Sequence, residues 1–390
     1  MKISAIKTFL VYNGWDNCLF VKIETDEGIS GVGEGTCGQK SKSIEAQVRE
    51  FERHLIGKNP GLIEQHYQVL TRGLFMRGGI VSMSALSAID QALWDIKGKD
   101  LGVPVHALLG GKVRDKVRVA THVDEREEGS IEEAIAEITR LKKMGWTAIK
   151  TVPLGHFKEP GLVKYGRVEE AKRRFKAIRD AVGDDFDILV DNHGRFSAAE
   201  AITIGKALES FGPFWFEEPV PPEDLDGLAK VAASINIPVA TGERALSRYE
   251  VKPILDRNAA AIIQSDVCHS GGISELRRIN VLAETYGVKT APHTAIGPVG
   301  TAASMHVNAA SPNFLIQEIP IFEPGREHFP DWVSKLVKEP LIPENGYLKV
   351  HDKPGLGVEL NEEIFSEHPY EQNERSIPHV FFEDGSLANW

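Results

Sequence analysis

Three carboxylates recur at equal spacing in the middle of the chain. Asp191, Glu217 and Glu243 each end a short apolar run, and 26 residues separate each one from the next. An apolar run that ends in a polar residue and precedes a helical pattern is typical of a strand–helix unit. Because reactive groups of parallel α/β folds gather at the carboxyl ends of the strands, we expect these acids to meet. Such a trio predicts an oxygen-ligated cation, and Mg²⁺ is favoured over Zn²⁺ because no cysteine is nearby.

Histidines accompany these acids. His193 follows Asp191 by two residues, and strand periodicity would place both side chains on the same face. Beside a metal, such an imidazole is a candidate general acid or base, with a simple loop histidine as the alternative. Asp266 and His293 end two later apolar runs, and a carboxylate that orients an imidazole is a common construction of a general base. A structural Asp–His bond is the alternative.

Three further charged residues belong to the same pattern. Lys150 stands in an otherwise apolar strand candidate, so its ammonium group should point toward the carboxylates. Glu318 ends the last strand candidate and is a possible hydrogen-bonding or electrophilic group, with a capping role as the alternative. Glu218 directly follows Glu217 and is an alternative metal ligand, although the equal spacing favours Glu217.

The scaffold for these residues is an alternation of strand and helix patterns that begins at Lys116. The strand candidates are 117–122, 148–154, 187–191, 213–217, 238–243, 260–266, 289–293 and 314–318. Eight such units match a closed (β/α)8 barrel, whereas an open doubly wound sheet, the competing fold, usually has fewer strands. We therefore predict an α/β protein with a (β/α)8-type barrel over residues 116–354.

The chain before the barrel has a different texture, and so does its end. Antiparallel strand patterns are followed by helical patterns at 43–56, 62–72 and 80–98, which predicts an α+β domain over residues 1–115. A hairpin is expected at Asn345-Gly346. Residues 355–390 form a polar tail with aromatic side chains, and we expect them to pack back on the first domain.

One motif suggests a nucleotide site. Gly33-Glu-Gly35-Thr-Cys-Gly38 formally matches the G-x-G-x-x-G pattern and follows a strand. The dinucleotide fingerprint requires a βαβ unit, whereas here antiparallel strands precede the glycines and successive helices follow them. We therefore predict that the glycines permit a mobile loop and that no dinucleotide binds.

Composition excludes other classes of function. The net charge is −11 and no basic cluster is evident, which argues against nucleic acid as a partner. The three cysteines form no Cys-x-x-Cys pair, which argues against a disulfide framework or a thiolate zinc site. No apolar run approaches the ~20 residues that cross a bilayer, and the amino terminus lacks a signal-peptide pattern. A cytoplasmic protein without a membrane partner is expected.

These motifs resemble those of the enolase superfamily, and within it of the mandelate-racemase-like acid-sugar dehydratases. Trp215-Phe-Glu-Glu-Pro219 and Thr241-Gly-Glu-Arg244 are similar to the second and third metal-ligand motifs of the family. Asp266 and His293 match its Asp–His dyad. Ala92-Leu-Trp-Asp-Ile-Lys-Gly98 resembles the end of its amino-terminal capping domain, and Asp191-Asn-His-Gly-Arg195 is similar to a motif of galactonate-dehydratase-like members.

The resemblance implies Mg²⁺-dependent removal of the proton next to a carboxylate. His293, oriented by Asp266, would be the base, and the metal on the three acids would hold the enediolate. His193 would protonate the departing 3-hydroxyl of an aldonate such as galactonate, which gives a 2-keto-3-deoxy acid. Racemising members carry Lys-x-Lys where this chain has Lys150-Thr-Val152, so two-faced racemisation is not expected.

The alternatives and the remaining site residues complete the prediction. A cycloisomerase or epimerase of a related carboxylate is the runner-up, and a non-catalytic barrel with a binding or assembly role is the alternative from another class. Trp15 and Arg77, on two candidate lid loops of the capping domain, are predicted to bind substrate together with Lys150 and Glu318. Because capped barrels of this family commonly assemble, a homo-oligomer is expected.

Overall fold

The computed structural model describes residues 1–14, 16–123, 130–152, 162–294, 297–320, 331–372 and 381–387. Its first part consists of strands and helices that form one α+β unit. These are β1 (Ile3–Tyr12), β2 (Asn17–Thr25), β3 (Ser30–Glu34), α1 (Ser41–Leu55), α2 (Ile63–Arg72), α3 (Ile80–Leu101) and the short α4 (Val105–Leu108). The strands pair in the order β1–β2–β3, antiparallel throughout, as the sequence predicts.

Glycines let β3 lie directly against α3. A Cβ atom on Gly33 would overlap the backbone carbonyl oxygen of Ala88, and one on Gly35 would lie 2.6 Å from that of Ser84. The prediction of a mobile loop is therefore wrong for these two glycines. They belong to a strand–helix contact that only a residue without a side chain permits.

The rest of the chain alternates strand and helix. The strands are β4 (Lys116–His122), β5 (Ala148–Thr151), β6 (Asp187–Asp191), β7 (Trp215–Glu217), β8 (Val239–Thr241), β9 (Ile262–Ile263), β10 (Lys289–Thr290) and β11 (Gln317–Glu318). The helices are α5 (Ile131–Lys143), α6 (Tyr165–Val182), α7 (Ala198–Leu208), α8 (Leu225–Ser234), α9 (Arg248–Asp256), α10 (Gly272–Thr285) and α11 (Pro298–Ala309). Within the described ranges, no helix is both long enough and apolar enough to cross a membrane.

The strands close into a barrel. They pair in parallel in the order β10–β9–β8–β7–β6–β5–β4–β11, and Thr290 pairs in parallel with Phe314 to join the two ends. The Leu315 amide donates to the Thr290 carbonyl at 2.8 Å across this seam. The predicted (β/α)8-type barrel with an amino-terminal α+β domain is confirmed, although several strands are shorter than their apolar runs.

Two of the barrel helices start with a capping box. Ser130 and Glu133 form a reciprocal capping box at the start of α5, and Ser197 and Glu200 form another at the start of α7. Each box satisfies amide groups that the first helical turn leaves unpaired. The box at Ser197 holds the start of α7 only a few residues beyond the end of β6, so the intervening loop is short.

The carboxyl-terminal part returns to the amino-terminal sheet. A two-residue hairpin at Asn345-Gly346 leads into β12 (Tyr347–Lys349), which pairs antiparallel with β4. Further on, Pro369 bridges to Val11, and the Phe365 ring stacks on that of Phe20 with centroids 5.7 Å apart. Residues 373–380 and 388–390 of the tail lie outside the described residues. The division at residues 115 and 354 stays a prediction.

Candidate active site

The site is a ring of polar side chains directly above the barrel core. One buried apolar side chain from each strand, or from the residue beside it, fills the barrel interior. Because side chains alternate along a strand, the residue two positions further on faces the same interior, closer to the carboxyl end. These pairs are Ala120/His122, Ala148/Lys150, Leu189/Asp191, Trp215/Glu217, Ala291/His293 and Ile316/Glu318. The strand period therefore places all six polar residues in one layer.

The three predicted ligand residues meet in this layer. Asp191, Glu217 and Glu243 each offer a carboxylate oxygen, and these atoms lie within 4.8 Å of one another. Asp191 and Glu217 are fully buried. Glu243 departs from the period of two because Gly242, with a φ of 118°, adds a residue in a conformation that favours glycine.

The structure separates Glu217 from Glu218. Glu217 faces the barrel interior, where its Oε2 accepts from the Trp215 indole at 2.8 Å. Glu218 has a φ of 41° and faces elsewhere, because its carboxylate accepts from the Thr241 hydroxyl at 2.6 Å and from the Arg244 Nε at 2.7 Å. The geometry therefore favours Glu217 as the ligand, as the equal spacing does.

Lys150 is buried among the carboxylates, toward which its strand position directs it. Its Nζ lies 2.8 Å from Asp191 Oδ2, 2.5 Å from Glu217 Oε1, 3.2 Å from Glu318 Oε2 and 4.0 Å from Glu243 Oε2. Burial opposes its charge, but the surrounding carboxylates raise the pKa of Lys150 well above its ordinary value. One ammonium group thus partly neutralises four acids.

The acids nevertheless carry more negative charge than Lys150 balances. Burial raises the pKa of Glu217 well above its ordinary value and that of Glu243 to about 7, and Asp191 adds to both shifts. Asp191 Oδ2 has the Lys150 ammonium group 2.8 Å away, whereas Glu243 Oε2 has no hydrogen-bond partner among the described residues. Converging buried carboxylate oxygens suit a hard divalent cation such as Mg²⁺.

His193 reaches the acids by a different route from the one its spacing suggests. β6 ends at Asp191, and His193 lies beyond the strand with a φ of 51°. The argument from strand periodicity is therefore wrong, although the two side chains do meet: the His193 Nε2 lies 3.2 Å from Asp191 Oδ2. The His193 amide also donates to Asp191 Oδ1 at 3.0 Å, and this bond holds the left-handed turn.

The charge state of His193 follows from its neighbours. Burial lowers the pKa of His193 to about 3, against the opposing attraction of Asp191. The Arg195 guanidinium, which can only donate, lies 3.3 Å from Nδ1. Nδ1 is therefore the acceptor and the neutral ring carries its proton on Nε2, the nitrogen that faces Asp191.

Asp266 and His293 form a close pair on the other side of the ring. The His293 Nδ1 lies 2.6 Å from Asp266 Oδ2, and the Cys268 amide donates to Asp266 Oδ1 at 2.6 Å. Burial would lower the pKa of His293, but Glu318 and Asp266 outweigh it and raise that pKa to about 10. The geometry is that of an imidazole oriented by a carboxylate.

The structure adds His122, which sequence analysis did not single out. It ends β4, and its Nε2 lies 2.6 Å from Glu318 Oε1. The signal was present, because His122 is the polar residue at the end of the first barrel strand. The rule that selected the other strand-end residues would have selected it as well.

The two predicted lid residues are not brought to this ring by anything the structure describes. Arg77 is exposed between α2 and α3, where its Nε donates to the Leu74 carbonyl at 3.3 Å. Trp15 lies outside the described residues. Their proposed contacts with substrate stay predictions.

Comparison with known proteins agrees with this fold. Residues 12–110 match the mandelate racemase/muconate lactonizing enzyme N-terminal domain, and residues 133–364 match the enolase C-terminal domain-like family. A crystal structure of an enolase from Agrobacterium radiobacter, bound to sodium and L-malate, superposes with a TM-score of 0.91. It is 33% identical and the match covers 100% of both chains.

Full-length relatives narrow the class. The D-galactonate dehydratase of Pectobacterium atrosepticum is 39% identical, and that of Variovorax paradoxus is 40% identical, each over 100% of both chains. The chain belongs to the mandelate racemase/muconate lactonizing enzyme family of the enolase superfamily, and within it to the acid-sugar dehydratases. It is thus an enzyme of the hydro-lyase class.

Proposed function

We propose that the enzyme is a Mg²⁺-dependent dehydratase of an aldonate such as galactonate, and that it forms a 2-keto-3-deoxy acid and water. One observation carries the proposal: the acid trio lies between an Asp266–His293 pair on one side and His193 on the other. The activity of the two full-length relatives, both D-galactonate dehydratases, supports galactonate as the first substrate to test.

The cation would be held by Asp191, Glu217 and Glu243. Bound there, Mg²⁺ would supply positive charge beside the substrate carboxylate, where negative charge develops when the neighbouring C–H bond breaks. Lys150 lies in contact with two of these ligands and with Glu318, so its ammonium group adds a second cationic neighbour to the same region. A carboxylate substrate is thereby attracted to an otherwise acidic ring.

His293 is the proposed base. Its Nδ1 is held by Asp266, which leaves Nε2 as the nitrogen that takes the C2 proton. The C2–H electron pair then forms the C1–C2 double bond of the enediolate.

His193 is the proposed acid. The enediolate electrons form the C2–C3 double bond and expel the 3-hydroxyl, to which the His193 Nε2 delivers a proton, so that water leaves. The resulting enol gains a proton at C3 and loses its hydroxyl proton, both by exchange with solvent, and becomes the 2-keto-3-deoxy acid. The first two steps thus each have one proton donor or acceptor on the ring. His293 then returns its proton to solvent and His193 regains one, so that substrate gives product plus water.

The active form needs a different proton distribution from that of the free site. His293 must be neutral and His193 protonated, whereas the pKa values are about 10 and about 3. A cation bound at the acid trio would neutralise part of the carboxylate charge, and the pKa of His293 would then be lower. A bound anionic substrate favours protonation of His193, because it adds negative charge beside the ring.

The substrate proposal is tested with a panel of sugar acids. We expect galactonate, its stereoisomer gluconate or mannonate, or one of the shorter pentonates to give 2-keto-3-deoxy product with Mg²⁺ and none with a chelator. A product that keeps every oxygen would instead identify an epimerase or cycloisomerase. Binding without any product, in a protein of unchanged stability, would favour the non-catalytic alternative.

The two histidine roles are separated by exchange in D2O. His193→Asn should lose product formation but still exchange the C2 hydrogen of substrate, because the base remains. His293→Asn should lose both. The exposed His54→Asn serves as the matched control, with wild-type exchange and turnover expected. If His293→Asn exchanges and His193→Asn does not, the assigned roles are reversed.

We also propose a cytoplasmic homo-oligomer. The absence of a Cys-x-x-Cys pair in the sequence is consistent with a reducing compartment. Light scattering of the purified protein should give a mass of at least twice 43.0 kDa, and a mass equal to that of one chain would refute the assembly.

A further inference from the structure

His122 occupies a defined place in the ring of strand-end residues. It follows the buried Ala120 by two positions in β4, so the strand period directs its side chain into the polar layer above the barrel core. In the parallel register, His122 pairs with Lys150 of β5. Its neighbour on the other side is β11, which carries Glu318. None of the steps proposed above uses His122.

Contacts hold the His122 ring in one orientation. The His122 Nε2 lies 2.6 Å from Glu318 Oε1, while Glu318 Oε2 accepts from the Lys150 Nζ at 3.2 Å. Glu318 therefore contacts the Lys150 ammonium group through one oxygen and the His122 ring through the other. An imidazole anchored through one nitrogen presents its opposite edge in a fixed direction, which is the arrangement expected of a preorganised recognition group.

Exposure distinguishes His122 from its partners. The His122 side chain is 36% exposed, whereas Glu318 is 5% exposed and Lys150 is 1% exposed. Of these three linked groups, His122 is therefore the one that reaches the open space above the ring. Lys150 and Glu318 support it from below.

The barrel order gives the direction from which substrate would meet this residue. β4 lies four strands from β8 in either direction around the closed barrel, so His122 is opposite Glu243. It is also two strands from β6, which precedes His193, and two strands from β10, which precedes His293. A sugar acid whose carboxylate lies at the acid trio would extend its hydroxyl-bearing carbons across the ring, between the two histidines, toward β4.

We propose that His122, anchored by Glu318, binds a hydroxyl group of the sugar acid beyond C3 and so sets which stereoisomer the enzyme prefers. This inference rests on the proposed function, because it takes the substrate to be a polyhydroxy carboxylate bound at the acid trio. In that arrangement His122 orients the chain so that the C2 hydrogen faces His293 and the 3-hydroxyl faces His193.

The test compares acids that differ only beyond C3, in the part of the molecule that His122 would contact. Galactonate and gluconate are epimers at C4, and glycerate has no carbon beyond C3. Binding is measured by calorimetry with Mg²⁺ in the His293→Asn background, with and without His122→Gln or His122→Phe. His54→Gln is the matched control on an exposed histidine.

We expect the His122 variants to bind the preferred six-carbon acid roughly tenfold more weakly, the effect of one lost hydrogen bond in a partly desolvated site. The preference between the C4 epimers should shrink, while glycerate affinity stays within about twofold of the parent because glycerate makes no such bond. Turnover by the otherwise wild-type His122→Gln enzyme should lose the same selectivity in kcat/KM.

Two results would overturn the inference. If both variants keep the parent preference between the C4 epimers, His122 does not contribute to substrate selectivity. An equal loss for glycerate and the six-carbon acids would show that it acts only through Glu318. Because binding is read without turnover, a wild-type enzyme that forms no keto-deoxy product would refute the proposed reaction while the epimer preference still tests His122. His122→Gln keeps a polar side chain of similar reach, so the test remains if the Phe variant fails to fold.

Discussion

Acid should weaken this protein through a buried histidine far from the proposed chemistry. His306, on α11, is fully buried, and both of its ring nitrogens are engaged. Its Nδ1 accepts from the His106 amide at 3.2 Å, and its Nε2 lies 3.3 Å from the Leu356 carbonyl oxygen. The rings of His106 and His351 lie 5.4 Å and 5.1 Å away, centroid to centroid. A second proton on His306 would break the bond from the His106 amide and bury a charge.

The size of the effect follows from proton linkage. Burial lowers the pKa of His306 to about 3, with His351 contributing, whereas an imidazole in the unfolded chain titrates near 6.5. Because the pKa of His306 is lower in the folded state than in the unfolded state, the folded protein keeps its full stability above the unfolded-state pKa. The free energy of unfolding then decreases as the pH falls from the unfolded-state pKa toward the folded-state pKa. Between pH 7.5 and pH 5, this residue alone therefore lowers the free energy of unfolding by about 2 kcal/mol. At about 2.1 cal/mol/K of unfolding entropy per residue, this corresponds to about 2–3 °C in Tm for a chain of 390 residues.

The assay is the melting temperature of His306→Asn against wild type at pH 7.5 and pH 5. The variant should melt lower at pH 7.5, because it loses packing around the ring. The gap should narrow by about 2–3 °C at pH 5, since only the wild type loses the contribution of the buried imidazole. The exposed His54→Asn should show a pH-independent gap near zero. A His306→Asn gap that is equal at both pH values would refute the assigned protonation state.

Two further substitution pairs test the site and the fold. Glu217→Gln should weaken Mg²⁺ binding at least about tenfold by calorimetry, because it removes a charged ligand. Glu218→Gln should instead lower Tm and leave Mg²⁺ affinity within a few fold; the opposite pattern would assign the ligand to Glu218. Gly33→Ala should destabilise the protein by about 1–3 kcal/mol, because its methyl group would overlap the backbone of α3. Gly166→Ala, at a helical site with open space around it, should leave stability unchanged or raise it by up to about 1 kcal/mol, and equal destabilisation at the two glycines would contradict the close strand–helix contact.

The sequence by itself determined the barrel and most of its polar ring. Strand alternation is a local property, so a polar residue two positions beyond a buried apolar one can be located without knowing what the strand pairs with. This is why Asp191, Glu217 and His293 could be found from spacing. The same local rule applies to His122, which was overlooked although its strand was predicted.

Tertiary structure decided whatever depends on contacts between distant segments. His193 meets Asp191 only because a left-handed turn beyond β6 is held by a bond to that carboxylate. Glu218 faces away from the acids because Arg244, 26 residues later, binds it. The close contact of Gly33 with α3 could not be predicted, since a glycine in sequence does not reveal which backbone will approach it. The periodicity of a strand determines the face from which a side chain projects, whereas the packing of distant elements decides which groups that side chain contacts.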